Sequence, residues 1–307
     1  MPADYRLVSY TTAEEHAPRA GILLDGRVTD AGEVLGAAGD SVFDILCDWE
    51  TTSERLEDFA GSDRSVLLKD VSLAAPILFP GTLFCAGANY WDHLREMSEF
   101  VKQTTGRLPP MEKAPEPWFF IKTSAASIVG PGADIRLPSF SKSVDWEAEL
   151  GVVIGRPTRR IREDDALSAV AGYVIVNDLS ARDLMKREGS PFVYDWIGQK
   201  CFTDAAPMGP WLTPASAVGN PANLAIRLSV NGVVKQDSNT GEMVHSIEEQ
   251  IAYLSRHVEL QPGDVIATGT PAGVGLPKGE CLKAGDEVVV EIEGLGRLKN
   301  RVVEDRS

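Results

Sequence analysis

Residues 143–155 read SVDWEAELGVVIG, and this stretch decides most of what the sequence predicts. Its apolar second half is strongly β-forming, so we predict a strand over 144–154. Side chains two apart share one face of a strand, which places the Glu147 and Glu149 carboxylates together, with their Cα atoms roughly 6–7 Å apart. Two buried anions repel each other and lose hydration unless a cation lies between them, and a hard divalent ion suits carboxylate oxygens. A solvent-facing edge with two hydrated glutamates explains this stretch, taken by itself, equally well.

The composition is that of an ordinary globular protein, with 43% hydrophobic and 24% charged residues among 307. This length allows one large domain with a smaller appendage, or two domains. The net charge is −15, from 30 basic and 45 acidic side chains, and there is no long basic run. That charge argues against nucleic acid or an anionic membrane as a partner. No stretch approaches the roughly 18 apolar residues that a membrane-spanning helix needs.

The sequence also carries information about the compartment. Residues 1–16 have no apolar core preceded by positive charge, so no secretory signal is predicted. The cysteines are far apart and form no CxxC pair, which favours free thiols in a reducing compartment. They are Cys47, Cys85, Cys201 and Cys281. We therefore expect a cytoplasmic protein.

Residues 1–75 are expected to form a small β-rich N-terminal domain, and residues 76–307 a larger one. The dipeptide Asp25-Gly26 between apolar runs predicts a hairpin, because Asp-Gly favours tight turns. Apolar spacing over 41–59 predicts a mostly helical segment, with Ser41 as its N-cap. Because no catalytic constellation occurs in this region, we expect it to be a scaffold or cover.

In the larger region, a predicted strand over 83–87 leads into the sequence ANYWDHLRE. On a helical turn, His93 and Glu96 share a face and can form a hydrogen bond. A surface histidine near a surface glutamate is the alternative. The following residues, 99–117, are polar and rich in proline, which predicts a long loop.

The remaining polar motifs follow predicted strands. The sequence NDLSARD over 177–183 follows a strand at 171–176, and a helix is predicted over 184–188. The run over 263–275, GDVIATGTPAGVG, predicts a strand that ends in a glycine-rich loop, whose spacing matches neither a P-loop nor a dinucleotide-binding fingerprint. Many strands, few helices and no regular βαβ alternation predict a β-rich α+β fold rather than a doubly wound sheet.

Taken together, five motifs strongly resemble those of the fumarylacetoacetate hydrolase family. They are NYWDH with Glu96, WEAELGVVIG, NDLSARD, GQKCF and GDVIATGTPAGVG. The resemblance covers roughly residues 77–304 and implies a mixed β-sandwich roll with a small N-terminal domain, assembled as a homodimer. It also implies one Mg²⁺ or Mn²⁺, held by Glu147, Glu149 and Asp178. The absence of histidine and cysteine from this ligand set argues against zinc.

The same resemblance implies an activity on a small 2-oxo acid. The enzyme would be a hydrolase that cleaves a carbon–carbon bond in 2,4-dioxo acids, such as acylpyruvates or fumarylpyruvate, through a metal-bound enolate. His93 and Glu96 would activate water, and Lys200 would face the developing oxyanion. The positions expected to contact the substrate or shape its pocket, each with a purely structural role as the alternative, are Lys122, Arg182 and Thr270.

Two other functions are retained as alternatives. A family member can act on a 2-oxo dicarboxylic acid such as oxaloacetate, as a decarboxylase or tautomerase, or can isomerise a 2-hydroxydienedioate. The chain can also be a non-catalytic, metal-stabilised binding protein. Met185 stands where the family often has glutamine, so the distal part of the substrate would be less polar or differently held. The segment 99–117 would form a lid over the substrate.

Overall fold

The computed structural model describes residues 4–109, 111–189 and 191–305. Residues 1–3 of the N-terminus and Pro110 of the predicted loop lie outside the described residues. The described residues form nineteen strands and seven α-helices. The strands are β1 (Arg6–Thr11), β2 (Arg19–Leu24), β3 (Arg27–Asp30), β4 (Val66–Leu67), β5 (Ser72–Ala74), β6 (Leu83–Gly87), β7 (Trp118–Lys122), β8 (Ile128–Val129), β9 (Asp134–Leu137), β10 (Val144–Asp145), β11 (Ala148–Ile154), β12 (Val170–Asn177), β13 (Ser180–Ala181), β14 (Ala206–Pro214), β15 (Ala225–Val230), β16 (Val233–Asn239), β17 (Val265–Ala267), β18 (Glu287–Ile292) and β19 (Gly296–Glu304). The helices are α1 (Ala31–Leu35), α2 (Val42–Cys47), α3 (Trp49–Glu57), α4 (Trp91–Thr105), α5 (Ser124–Ser127), α6 (Trp196–Lys200) and α7 (Ile247–His257).

Three sheets organise these elements. The largest has twelve strands in the order β4-β3-β2-β1-β14-β12-β11-β17-β6-β7, with β5 added beside β1 and β8 beside β14. A five-stranded sheet has the order β16-β15-β18-β19-β9, and β10 pairs with β13. One apolar core joins β11 to the five-stranded sheet through side chains such as Leu150, Ile226 and Val290. The predicted β-rich α+β fold is confirmed.

The N-terminal strands continue the large sheet. Strand β1 pairs antiparallel with β14, where Leu7 lies opposite Leu212. Apolar side chains of both regions share one core, which includes Ile22 and Val174. The domain boundary at residue 75 and the homodimer both stay predictions. No helix among the described residues is long and apolar enough to cross a membrane.

Local signals in the N-terminal region are confirmed, with one difference. Strands β2 and β3 flank the predicted Asp25-Gly26 turn. The Ser41 hydroxyl caps α2 by accepting the Asp44 amide at 3.1 Å. The predicted helical segment over 41–59 is two helices, because the backbone at Asp48, with φ −123° and ψ 43°, leaves the helical conformation.

Two predictions for the larger region are wrong, one in where a loop starts and one in the presence of a helix. The loop predicted over 99–117 starts too early, because α4 continues to Thr105. Gly106 ends that helix with φ 73°, a left-handed conformation that glycine adopts without strain. The helix predicted over 184–188 is absent from the described residues. A 3₁₀ turn over Arg182–Leu184 is followed instead by an isolated bridge between Lys186 and Tyr194.

The close approach of β12 to β14 gives a stability prediction. A Cβ added at Gly172 would lie 2.2 Å from the Thr213 carbonyl oxygen. We expect Gly172→Ala to destabilise the protein by about 1–3 kcal/mol, the usual cost of overpacking a core. Gly219→Ala is the matched control, since no heavy atom lies within 4 Å of its added Cβ. Denaturant unfolding measures both, and equal stability of the two variants would contradict the observed pairing.

Candidate active site

The stretch that suggested a metal site is not one continuous strand. The prediction of a strand over 144–154 is wrong at Trp146 and Glu147, which separate β10 from β11. The Trp146 amide donates to the side chain of Asp145 at 2.8 Å, and the Glu147 amide donates to the side-chain oxygen of Asn177 at 3.0 Å. Because side chains accept these two amides, the strand ladder is interrupted there.

Glu147, Glu149 and Asp178 nevertheless come together. One carboxylate oxygen from each lies within 4.8 Å of the other two, and all three side chains are buried. Asp178 reaches this position because β12 pairs along β11, and its amide donates to the Glu147 carbonyl at 2.8 Å. Glu149 is only 1% exposed, so the alternative of two hydrated glutamates on an open edge is wrong.

Two buried lysines contact this cluster. Lys200 Nζ donates to Glu147 at 2.8 Å and to Asp178 at 2.7 Å. Lys122 Nζ donates to the other oxygen of Asp178 and to the Leu179 carbonyl. Burial acts to lower the pKa of Lys200, but the charges of Asp178 and Glu147 raise it above its ordinary value. Both lysines therefore orient carboxylates of the cluster, and their roles towards a substrate stay predictions.

Arg182 links the cluster to a carboxylate that the sequence did not single out. Its guanidinium donates to Glu147 and, at 2.9 Å, to Asp145. Asp145 is fully buried and also accepts the Gly275 amide at 2.6 Å. Ser180 adds a hydrogen bond of 3.1 Å to Glu147. A signal for Asp145 was available, because it lies two residues before Glu147 in the alternation that singled out the two glutamates.

Negative side chains outnumber positive side chains at this site. Four buried carboxylates face three cations, and no basic side chain among the described residues forms a salt bridge with Glu149. Burial, with the charges of Asp178 and Glu147, raises the pKa of Glu149 well above its ordinary value. Burial acts the same way on Glu147, but Lys200 and Arg182 hold the pKa of Glu147 well below its ordinary value. A further cation beside Glu149 would compensate its unpaired negative charge, and three carboxylates fit Mg²⁺ or Mn²⁺.

His93 and Glu96 lie on α4, near the cluster. His93 Nδ1 lies 3.8 Å from Glu96 Oε2, which is too long for a hydrogen bond. This Nδ1 is buried and has no hydrogen-bond partner among the described residues. Burial acts to raise the pKa of Glu96, but the His93 imidazole and the Gly273 amide, at 2.9 Å, lower it. The Glu96 carboxylate is therefore ionised at neutral pH and lies beside the His93 imidazole.

Thr270 differs from the other predicted site residues, because its hydroxyl forms hydrogen bonds neither to the carboxylate cluster nor to the His93–Glu96 pair. It donates to the Ala148 carbonyl at 2.9 Å and accepts the Gln236 amide at 2.8 Å. These contacts fix the start of β11 against the glycine-rich loop. They favour the structural alternative for Thr270, and contact with a substrate carboxylate stays a prediction.

The segment after α4 is connected to α7. Lys113 forms an ion pair with Glu249 at 2.5 Å, and Arg256 forms one with Glu116 at 2.9 Å. Each pair is exposed or partly exposed, and such surface pairs contribute little to stability. The lid role of this segment stays a prediction.

Comparisons with known proteins identify a family and several relatives. The model of the fumarylacetoacetate (FAA) hydrolase C-terminal family matches residues 82–303. A mitochondrial oxaloacetate tautomerase of Xenopus laevis is 39% identical over 97% of this chain and 90% of its own length. A maleylpyruvate hydrolase from Sphingobium sp. SYK-6, solved with manganese(II) ion and pyruvate, is 27% identical with a TM-score of 0.77, covering 98% of this chain and 100% of its own. A 2-hydroxyhepta-2,4-diene-1,7-dioate isomerase from Mycobacterium marinum is 30% identical with a TM-score of 0.71, covering 99% and 100%.

Proposed function

The chain belongs to the fumarylacetoacetate hydrolase family, and on that basis we propose that it is a divalent-metal-dependent tautomerase of a 2-oxo dicarboxylic acid of the oxaloacetate type. This is the alternative, and not the main, function predicted from the sequence. The prediction of carbon–carbon bond hydrolysis as the main activity has weaker support. The oxaloacetate tautomerase match extends over almost the whole chain at 39% identity, whereas the maleylpyruvate hydrolase match is 27% identical.

One observation carries the proposal on the structural side. The His93 imidazole lies beside the Glu96 carboxylate, with Nδ1 3.8 Å from Oε2, and near enough to the buried three-carboxylate cluster to act on the pKa of Glu147. Keto–enol tautomerisation takes a proton from C3 and delivers one to the C2 oxygen. This needs a group that can accept and release a proton, but no attacking water. One imidazole beside the cluster is sufficient for such a reaction.

Different side chains of the site would bind the metal and transfer the proton. Glu147, Glu149 and Asp178 would hold Mg²⁺ or Mn²⁺, and the bound ion would supply positive charge that polarises the 2-keto group. His93 would take the proton from C3 and return it there in the reverse direction. Glu96, ionised beside it, would stabilise the protonated imidazole.

The test is an assay of enol-oxaloacetate decay, followed by the ultraviolet absorbance of the enol. With Mg²⁺ or Mn²⁺, the purified protein should accelerate decay to the keto form above the uncatalysed rate. A chelator should remove the acceleration, and restored metal should return it. Decay at the uncatalysed rate with both metals would refute the proposed function.

Hydrolysis of an acylpyruvate is the second candidate function. The spacing of His93 and Glu96 favours it, because this pair can also orient and deprotonate water. It also has support from the neighbour named as a maleylpyruvate hydrolase in complex with manganese and pyruvate. Pyruvate release from maleylpyruvate, fumarylpyruvate and simple acylpyruvates tests it under the same metal conditions. Absence of pyruvate from all of these substrates would remove this candidate.

A further inference from the structure

The glycine-rich loop over 268–276 presents a row of backbone N–H groups to carboxylates of the site. Each of these amides donates to a side chain that is a predicted metal ligand, part of the proposed proton-transfer pair, or adjacent to one of them. The pairs are Gly269 with Glu149 (2.9 Å), Ala272 with Asp92 (3.2 Å), Gly273 with Glu96 (2.9 Å), Gly275 with Asp145 (2.6 Å) and Leu276 with Asp145 (3.1 Å). The loop thus contacts both the carboxylate cluster and helix α4.

Among the α4 side chains that contact this loop, Asp92 accepts the most hydrogen bonds. Its Oδ1 accepts the His93 amide at 2.7 Å and the Ala272 amide at 3.2 Å. Its Oδ2 accepts the Ser238 hydroxyl at 2.6 Å. One carboxylate therefore joins the first turn of α4 to the loop and to β16. Glu96 lies four residues further along the same helix face and contacts the next amide of the loop.

We propose that Asp92 is a positioning residue, which fixes α4 against the glycine-rich loop and so sets His93 and Glu96 relative to the carboxylate cluster. The inference rests on the proposed function, because it assigns these two side chains to proton transfer. The loop also holds Glu149 through Gly269, so a shift of α4 along the loop changes the distance from the imidazole to the cluster. A misplacement of about 1 Å can lower a rate by roughly 10²-fold.

A simpler role for Asp92 would be to stabilise the helix start, where a negative charge interacts favourably with the helix dipole. If Asp92 had only this role, its replacement would lower the stability of the protein without lowering kcat selectively. Positioning predicts a change confined to turnover, because the hydrogen bonds of Asp92 go to His93, Ser238 and Ala272 and not to a predicted metal ligand. It also predicts that asparagine can replace the aspartate, because its side-chain oxygen still accepts the two amides and its NH₂ group can donate to the Ser238 hydroxyl, with the direction of that hydrogen bond reversed.

The experiment compares three variants of the full chain with wild type. Asp92→Ala should lower kcat for oxaloacetate tautomerisation by roughly 10–100-fold, with KM and the Mn²⁺ dissociation constant unchanged. Asp92→Asn should recover most of the lost turnover. Its carbonyl oxygen accepts the amides, and its NH₂ group donates to the Ser238 hydroxyl. Glu99→Ala is the control, since Glu99 is exposed on the same helix and pairs only with Lys102 at 3.7 Å among the described residues.

Hydrogen exchange gives a readout that does not depend on activity. In the metal-free protein, the peptide covering 268–276 should exchange faster in Asp92→Ala than in wild type, Asp92→Asn or Glu99→Ala. Unchanged exchange in Asp92→Ala would overturn the inference even if the enzyme is a tautomerase. Wild-type kcat in Asp92→Ala, an Asn variant as impaired as the Ala variant, or loss of Mn²⁺ affinity in parallel with kcat would also overturn it. An inactive wild type would refute the proposed function, and the exchange result would still decide the positioning role.

Discussion

Replacing Glu149 with glutamine should abolish Mn²⁺ binding and activity while making the metal-free protein more stable. Glu149 forms no salt bridge among the described residues, and burial raises its pKa well above its ordinary value. A carboxyl group with a raised folded-state pKa binds more protons in the folded state, so the metal-free protein loses stability as pH rises above the unfolded-state pKa. Glutamine stays neutral and removes this loss. It can still accept the Gly269 amide, which donates to Glu149 at 2.9 Å.

The expected result at neutral pH is a higher free energy of unfolding for metal-free Glu149→Gln than for the metal-free wild type. Glu147→Gln is the contrasting variant. It removes the negative charge that forms ion pairs with Lys200 and Arg182. Breaking buried ion pairs of this kind costs about 3–5 kcal/mol. Thermal unfolding in chelator and Mn²⁺ titration by electron paramagnetic resonance measure both variants. Wild-type Mn²⁺ affinity in Glu149→Gln would contradict the assignment of Glu149 as a metal ligand. Equal destabilisation of the two variants would contradict the charge imbalance described above.

Replacing His93 with alanine should lower turnover of oxaloacetate by about 10²–10⁴-fold, the usual contribution of a general acid–base group. Mn²⁺ affinity should not change, because His93 is not among the clustered carboxylates. Steady-state kinetics and Mn²⁺ titration on the same preparation separate the two effects. Glu96→Gln should cause a smaller loss, since it keeps an acceptor for the Gly273 amide but loses the charge beside the imidazole.

His16→Ala is the matched control for the histidine, because His16 is exposed and lies outside the site. Its turnover should equal that of wild type. Undiminished turnover in His93→Ala would remove this imidazole from the mechanism. A parallel loss of Mn²⁺ affinity would instead indicate that His93 supports the carboxylate cluster.

Much of the site could be predicted from the sequence because many of its residues lie close together in short motifs. Two glutamates on an apolar strand left a metal site and a hydrated edge as alternatives, and the family resemblance added Asp178 to give the cluster that the structure shows. The hairpin turn at Asp25-Gly26 and the Ser41 cap were predictable for the same reason, since each depends on a few neighbouring residues.

Features that depend on contacts distant in sequence could not be predicted. The break at Trp146 and Glu147 requires the Asn177 side chain, which comes from another strand. The role of Asp92 depends on the amide of Ala272, 180 residues away in the chain. Local propensity contains no information about such partners, which is why the sequence indicated the residue types of the site but not its hydrogen-bond framework.

The central claim is metal-dependent proton transfer at C3 of a 2-oxo dicarboxylic acid without cleavage of the carbon skeleton. Its most direct test is proton NMR of oxaloacetate in D₂O, with the Mg²⁺-loaded protein, following loss of the C3 proton signal and appearance of pyruvate in one sample. The account predicts that deuterium enters C3 faster than in the uncatalysed reaction while oxaloacetate persists, and that a chelator removes the acceleration. Pyruvate forming as fast as deuterium enters, or acceleration that survives chelation, would contradict it.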